Sequence, residues 1–158
     1  MRSKPASLGT QHSELGTFVW PVRVYYEDSD AGGVVYYANY LCFLERARTE
    51  WLRALGLEQT DLAAVHQLVF VVRSIALDYL KPARFNDALE VTVEPGEIGA
   101  SRIRLSQRVR RGAEELLAAR VELACVNTET FKPVRIPRTV AESLARHGPY
   151  QKSVENMG

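Results

Sequence analysis

The sequence predicts an α+β fold: a five-stranded antiparallel sheet wrapped around one long central helix. Three observations predict it. One stretch, Tyr40 to Leu55, carries apolar residues at helical spacing over several turns. Other stretches are rich in strand formers, one before that helix and four after it. The four are separated only by short breaks of Gly, Pro, Asn and Asp, so a run of hairpins gives an antiparallel sheet with one face to bury. The single long helix is the element able to cover that face.

Taken in order, Met1 to Gly16 is polar and small without periodicity, which predicts a disordered extension before a domain spanning 17–147. Phe18 to Glu27 is the first strand, built on Phe18, Val19, Val22, Val24 and Tyr26; Pro21 suits its start or a sheet edge. Asp28-Ser29-Asp30-Ala31-Gly32-Gly33 is a turn, since Asp and Ser bond nearby backbone and glycine supplies positive φ. Asn39 is the expected N-cap of the helix, with a start a residue or two earlier, near Tyr37, as the alternative. Tyr40, Leu44, Ala47, Trp51 and Leu55 form its apolar stripe, widened by Phe43 and Leu52, and Gly56 is its stop.

A short helix is expected over Asp61 to Val65. Leu68 to Leu80 is the second strand, with Val69, Val71, Ile75, Leu77 and Tyr79 on one face and Arg73 as the exception. Val91 and Val93 mark the third strand, bounded by Asn86-Asp87 and Pro95-Gly96. Ile103, Leu105 and Val109 alternate with Arg102, Arg104, Ser106, Arg108 and Arg110 in the fourth, and Gly112 signals a hairpin. Leu117, Ala119, Val121, Leu123 and Cys125 are the inner face of the fifth, closed by Pro133 and Pro137. Thr139 to Arg146 is a terminal helix, and 148–158 a flexible tail.

Composition narrows the function. The chain has 158 residues, 46% hydrophobic and 25% charged, an ordinary globular makeup for one domain. A net charge of +1 argues against a nucleic-acid binder, which carries a basic excess. No apolar run approaches the roughly 20 residues of a membrane span, and no apolar leader opens the chain. Cys42 and Cys125 lie in apolar surroundings, which predicts buried free thiols and a cytoplasmic setting.

The join between turn and helix is the candidate site. A helix N-terminus offers unpaired N–H groups and partial positive charge, which stabilise a developing oxyanion. Aspartates just upstream bring a carboxylate to the same place. Asp28 is expected to set the turn. An EF-hand reading fails, because Gly32 and Asn39 stand where that loop needs an oxygen ligand and a bidentate glutamate. No G-x-S-x-G elbow is present, and His12, His66 and His147 are scattered. No Cys/His set has zinc spacing, so no metal is expected. If the protein is an enzyme, a carboxylate does its chemistry.

From Tyr26 the chain reads Y-x-D-x-D-x-x-G-x-V-Y-x-x-N-Y-x-x-x-x-E-x-x-R in outline. Phe18 to Pro137 thereby resembles the 4-hydroxybenzoyl-CoA thioesterase family of hotdog-fold enzymes, and within it the Tol–Pal-associated acyl-CoA thioesterases of Gram-negative bacteria. The resemblance implies hydrolysis of a short-chain or aromatic acyl-CoA, with no cofactor beyond the coenzyme A of the substrate. It implies that Asp30 is the catalytic carboxylate, as general base or as nucleophile. It implies that the Tyr37 backbone N–H receives the thioester carbonyl oxygen. The Tol–Pal subgroup usually has histidine at the Tyr37 position, whereas the aromatic-acyl branch has tyrosine. Glu45 is the second carboxylate, since a related branch uses a helix glutamate; pairing with Arg46 or Arg48 is its structural alternative.

Gly33, Val34, Tyr36, Asn39 and Tyr40 are the candidates for substrate contact around the motif, the tyrosines serving otherwise as core. Lys81, Arg84, Arg102, Arg104 and Lys132 are the candidates for coenzyme A phosphates, although the arginine row also reads as a solvated or subunit-facing sheet surface. Subunits in this family pair edge to edge, implying a homodimer or homotetramer with sites at the interface; acyl carrier protein is a further conceivable partner. A non-catalytic acyl-thioester binding module is the alternative class. A hotdog dehydratase would need histidine near the helix start, where Tyr37 stands.

Overall fold

The computed structural model describes residues 16–146; the expected extension before Gly16 and the tail after Arg146 lie outside the described residues. Five strands form one antiparallel sheet: β1 (Phe18–Arg23), β2 (Leu68–Tyr79), β3 (Ala88–Ile98), β4 (Arg102–Arg111) and β5 (Glu114–Asn127). Their spatial order is β1-β3-β4-β5-β2. Helix α1 (Asn39–Ala54) lies in the curve of the sheet. A short helix α2 (Gln59–Asp61) runs on into one π turn (Leu62–His66), and α3 (Arg138–Arg146) closes the domain.

Helix α1 buries Tyr40, Phe43, Leu44, Ala47, Trp51 and Leu52, the stripe its spacing predicts. Against it pack Val91, Val93, Ile103, Leu105, Val109, Leu117, Val121, Leu123 and Cys125 from the sheet. Each fully buried large side chain contributes about 1.5–3 kcal/mol, so this shared core is what keeps the helix in place. Cys42 corrects the expectation of a buried thiol: it is exposed, because it falls on the side of the helix turned from Tyr40. Cys125 is buried, and desolvation pushes its thiol up to about 11.

Three strand expectations are corrected. The first strand stops at Arg23 rather than Glu27; the chain turns into one 3-10 turn (Tyr26–Asp28), held by the Tyr25 amide donating to Asp28 Oδ2 at 2.8 Å. In β2 the residues facing the core are Leu68 and Phe70, then Ile75 and Leu77. The pairing with β5 slips between Val72 and Ser74, leaving Arg73 as an extra residue that reverses the alternation. That bulge is why Val69 and Val71 do not share a face with Ile75. Finally, β3 continues through Pro95-Gly96. Pro95 lies past Val93, the last residue paired with β1, so its missing N–H interrupts no bond to that strand.

The sheet is also not a simple run of hairpins. β3, β4 and β5 follow one another, with Gly112 at positive φ in the two-residue turn between β4 and β5. β2 instead pairs with β5 at the far edge, so residues 80–87 cross the end of the sheet to reach β3. That crossover passes the start of α1, where the Ala83 amide donates to the Tyr40 hydroxyl at 2.9 Å and the Val35 amide to the Ala83 carbonyl at 2.9 Å. The helix mouth thus lies beside the crossover and the aspartate turn.

Candidate active site

Residues Asp28 to Tyr36 fold as a small hairpin. The Tyr36 amide donates to the Asp28 carbonyl at 3.0 Å and the Asp30 amide to the Val34 carbonyl at 2.9 Å. The three-residue loop Ala31–Gly33 ends on Gly33 at φ +82°, a left-handed position that glycine adopts without strain. Val34 in turn bridges Arg84 of the crossover. The two aspartates have different surroundings. Asp28 is 4% exposed, with Oδ1 accepting from Asn39 Nδ2 and Oδ2 from the Tyr25 amide, both at 2.8 Å. Asp30 is exposed at the hairpin tip; its Oδ1 accepts from the Gly32 amide at 2.8 Å, and its Oδ2 has no partner among the described residues.

Asn39 is therefore not the N-cap. It is the first helical residue, its side-chain NH2 committed to Asp28 and its backbone amide to the Tyr36 carbonyl, while the cap is Ala38, which has no polar side chain to offer. The mouth of α1 is consequently open. Among the described residues the Tyr37 amide donates to no acceptor. Tyr37 is 62% exposed and its ring meets those of Tyr36 and Tyr79. The Tyr79 hydroxyl donates to the Tyr37 carbonyl at 3.0 Å. The hydrogen bond with the Tyr37 side chain holds Tyr36 above its ordinary pKa.

The structure brings Asp30, Gly33, Val34, Tyr36, Tyr37, Asn39 and Tyr40 to one end of the sheet, with Arg84 beside Val34. Tyr40 is core: it is buried and its hydroxyl receives the Ala83 amide. Glu45 pairs with neither Arg46 nor Arg48; it accepts from Thr49 Oγ1 at 2.6 Å, while Arg46 lies over the Phe43 ring. Lys81 is paired with Glu114 at 3.1 Å and Arg102 with Glu122 at 3.1 Å. Arg84 and Lys132 are exposed and form no ion pair among the described residues. The described residues hold no cluster of metal-ligating side chains, and none of their helices is long and apolar enough to cross a membrane.

Two features went unread in the sequence. Gln107 is fully buried on the inner face of β4, donating to the carbonyls of Leu44 and Thr92 at 3.2 Å and accepting from Arg48 at 3.0 Å. It ties helix to sheet, and burial lowers the pKa of Arg48, partly offset by Glu45. The signal was a glutamine at an inward position of an otherwise apolar alternation. Tyr79 went unread because it reaches Tyr37 across 42 residues of chain.

Comparison with known proteins places this arrangement. The model of the thioesterase-like superfamily matches residues 24–144. The acyl-CoA thioesterase YbgC of Haemophilus influenzae is 49% identical over 123 residues, covering 78% of this chain and 90% of that protein. The acyl-CoA thioester hydrolase YbgC of Escherichia coli is 44% identical over 124 residues, covering 78% and 92%. A crystal structure of a probable thioesterase from Bartonella henselae superposes with a TM-score of 0.74 at 37% identity, covering 77% of this chain and 99% of the other. The sheet, the long helix and these matches agree, and the chain belongs to the thioesterase-like superfamily as a thioester hydrolase of the hotdog fold.

Proposed function

We propose that the protein is an acyl-CoA thioesterase that hydrolyses a short-chain or aromatic acyl-CoA to free acid and coenzyme A, with Asp30 and the Tyr37 amide as its reacting groups. The observation that carries this reading is the open helix mouth: an amide without an acceptor among the described residues at the start of α1, one residue past the hairpin that carries an exposed aspartate with an unused oxygen. The thioester carbonyl oxygen accepts from the Tyr37 N–H, and the helix dipole adds partial positive charge as that oxygen becomes anionic. The Asp30 carboxylate either takes a proton from the attacking water or attacks the carbonyl carbon itself, giving an anhydride that water opens. The thiolate leaves without a general acid, in keeping with the absence of histidine near the motif.

In this reading Arg84 and Lys132, whose charges are uncommitted, bind the coenzyme phosphates ahead of Lys81 and Arg102, which are already paired. Glu45 has an assisting role at most. Two subunits pair along β2, the edge strand where Val72 and Tyr79 are exposed, in a homodimer or homotetramer. The relatives' activity, acyl-CoA thioester hydrolysis, supports the substrate class. The test is thiol release from a panel of acyl-CoAs by wild type and Asp30→Asn. Turnover by wild type alone, with binding retained in the variant, is the expected result. Equal turnover by both refutes the site, and no turnover by wild type on any acyl-CoA refutes the activity.

A further inference from the structure

The start of α1 is set by a side chain from another part of the fold. In a regular helix the Tyr37 carbonyl would accept from the Leu41 amide four residues on. Here the Leu41 amide turns instead to the Ala38 carbonyl at 3.1 Å. The Tyr37 carbonyl is taken by the Tyr79 hydroxyl at 3.0 Å. The α-helix accordingly begins at Asn39, with Ala38, already at helical φ and ψ, as its cap and the Tyr37 carbonyl outside the four-residue bond pattern.

Tyr79 is the last residue of β2. Its ring meets Tyr37 edge-on at 6.4 Å and Tyr40 at 5.6 Å between centroids. Tyr40 is fixed in turn by the Ala83 amide on its hydroxyl. The phenol therefore approaches the carbonyl from an anchored ring, and its reach does not depend on a loop.

We propose that Tyr79 is a positioning residue for thioester hydrolysis: by holding the Tyr37 carbonyl outside the helix, it keeps the adjoining amides facing the mouth where the oxyanion forms. This rests on the reading of the mouth as the reacting site. Without the hydroxyl, the Tyr37 carbonyl is free to accept from Leu41 and the Tyr37–Ala38 peptide turns; the Tyr37 amide, on the preceding peptide whose Tyr36 carbonyl receives the Asn39 amide at 2.8 Å, shifts through the shared Tyr37 backbone. Burial foremost, then the Tyr37 and Tyr40 phenols, raises the pKa of Tyr79, so it remains a hydrogen-bond donor at neutral pH. Tyr79 touches no reacting atom in this scheme; it acts through the peptide it holds.

The test is Tyr79→Phe in the full chain, which keeps the ring and removes only the donor. Steady-state kinetics on butyryl-CoA and benzoyl-CoA are measured beside the affinity for an S-alkyl coenzyme A thioether, which has no carbonyl to polarise. A misplaced oxyanion donor lowers kcat by about 10-fold or more. KM and thioether affinity stay within about twofold, because the thioether has no carbonyl and the donor's bond to a substrate carbonyl strengthens chiefly as that oxygen becomes anionic. Unchanged kcat overturns the assignment. So does a parallel loss of kcat and thioether affinity, which would mean that the hydroxyl shapes the binding pocket itself. Asp30→Asn is assayed alongside: normal turnover in that variant defeats the reading of the site, whereas its inactivity combined with an unaffected Tyr79→Phe defeats only the role of Tyr79. The thermal midpoint of each variant confirms that the chain is folded.

Discussion

The two ends of α1 are built by opposite means. At the C-terminal end the chain closes itself. Gly56 stands at φ +80°, its amide donates to the Arg53 carbonyl, and the Leu57 amide returns to the Leu52 carbonyl at 2.8 Å, the paired bonds of a Schellman cap. Arg53 adds exposed ion pairs to Glu50 and Glu58. At the N-terminal end there is no local cap, and the parts that hold it come from afar: Asp28 grips Asn39, Tyr79 grips Tyr37, and Ala83 grips Tyr40. One end spends its backbone groups on stopping the helix. The other keeps an amide unspent, held in position by neighbours.

If that contrast is functional, variants at the open end should change rate and variants at the closed end only stability. The largest effect belongs to Asp30→Asn, for which thiol release falls on the order of 100-fold or more. Its thermal midpoint does not move, because Asp30 is exposed and bonded only within its own turn. Asp28→Ala comes next. It leaves the Tyr25 amide and the Asn39 side chain without their acceptor, and chemical denaturation should register a loss of about 3 kcal/mol. Turnover falls with it as the hairpin loosens from the helix. An Asp28→Ala variant that stayed stable but lost activity would move the chemistry from Asp30 to Asp28.

The closed end gives smaller numbers. An added Cβ at Gly56 meets nothing within 4 Å, so the cost of Gly56→Ala is only that of the left-handed backbone, about 1 kcal/mol by denaturation, with kcat unaltered. Arg53→Ala is smallest: its partners are solvent-exposed and screened, and neither thermal midpoint nor turnover should shift at physiological salt.

The same contrast explains what could be read from the chain alone. Gly56 announced its cap because that motif is local, and the stripe from Tyr40 to Leu52 announced the buried face because helical spacing is local too. The inner face of β5 was legible by alternation from Leu117 to Cys125. Asn39 misled as an N-cap because its true partner, Asp28, stands 11 residues earlier. The faces of β2 were misassigned because one bulged residue, Arg73, inverts a period-two pattern without leaving a turn signal. The placement of β2 beside β5 depends on a crossover that residue types do not announce. The roles proposed for Asp30 and Tyr37 rest on a long motif rather than on spacing, and the Tyr79–Tyr37 bond is a tertiary contact no spacing rule reaches.

The extra residue in β2 has a consequence for how the chain meets other chains along its exposed sheet edge. A strand of this length along an open margin is a template on which stray extended peptides can grow. By dislocating the row of backbone donors and acceptors at Arg73 and placing a cation there, the fold denies such a peptide a long uninterrupted seam. A regular extended strand cannot keep its register with β2 past that dislocation. Removing Arg73 should therefore leave the catalytic groups in place and make the protein more prone to aggregate.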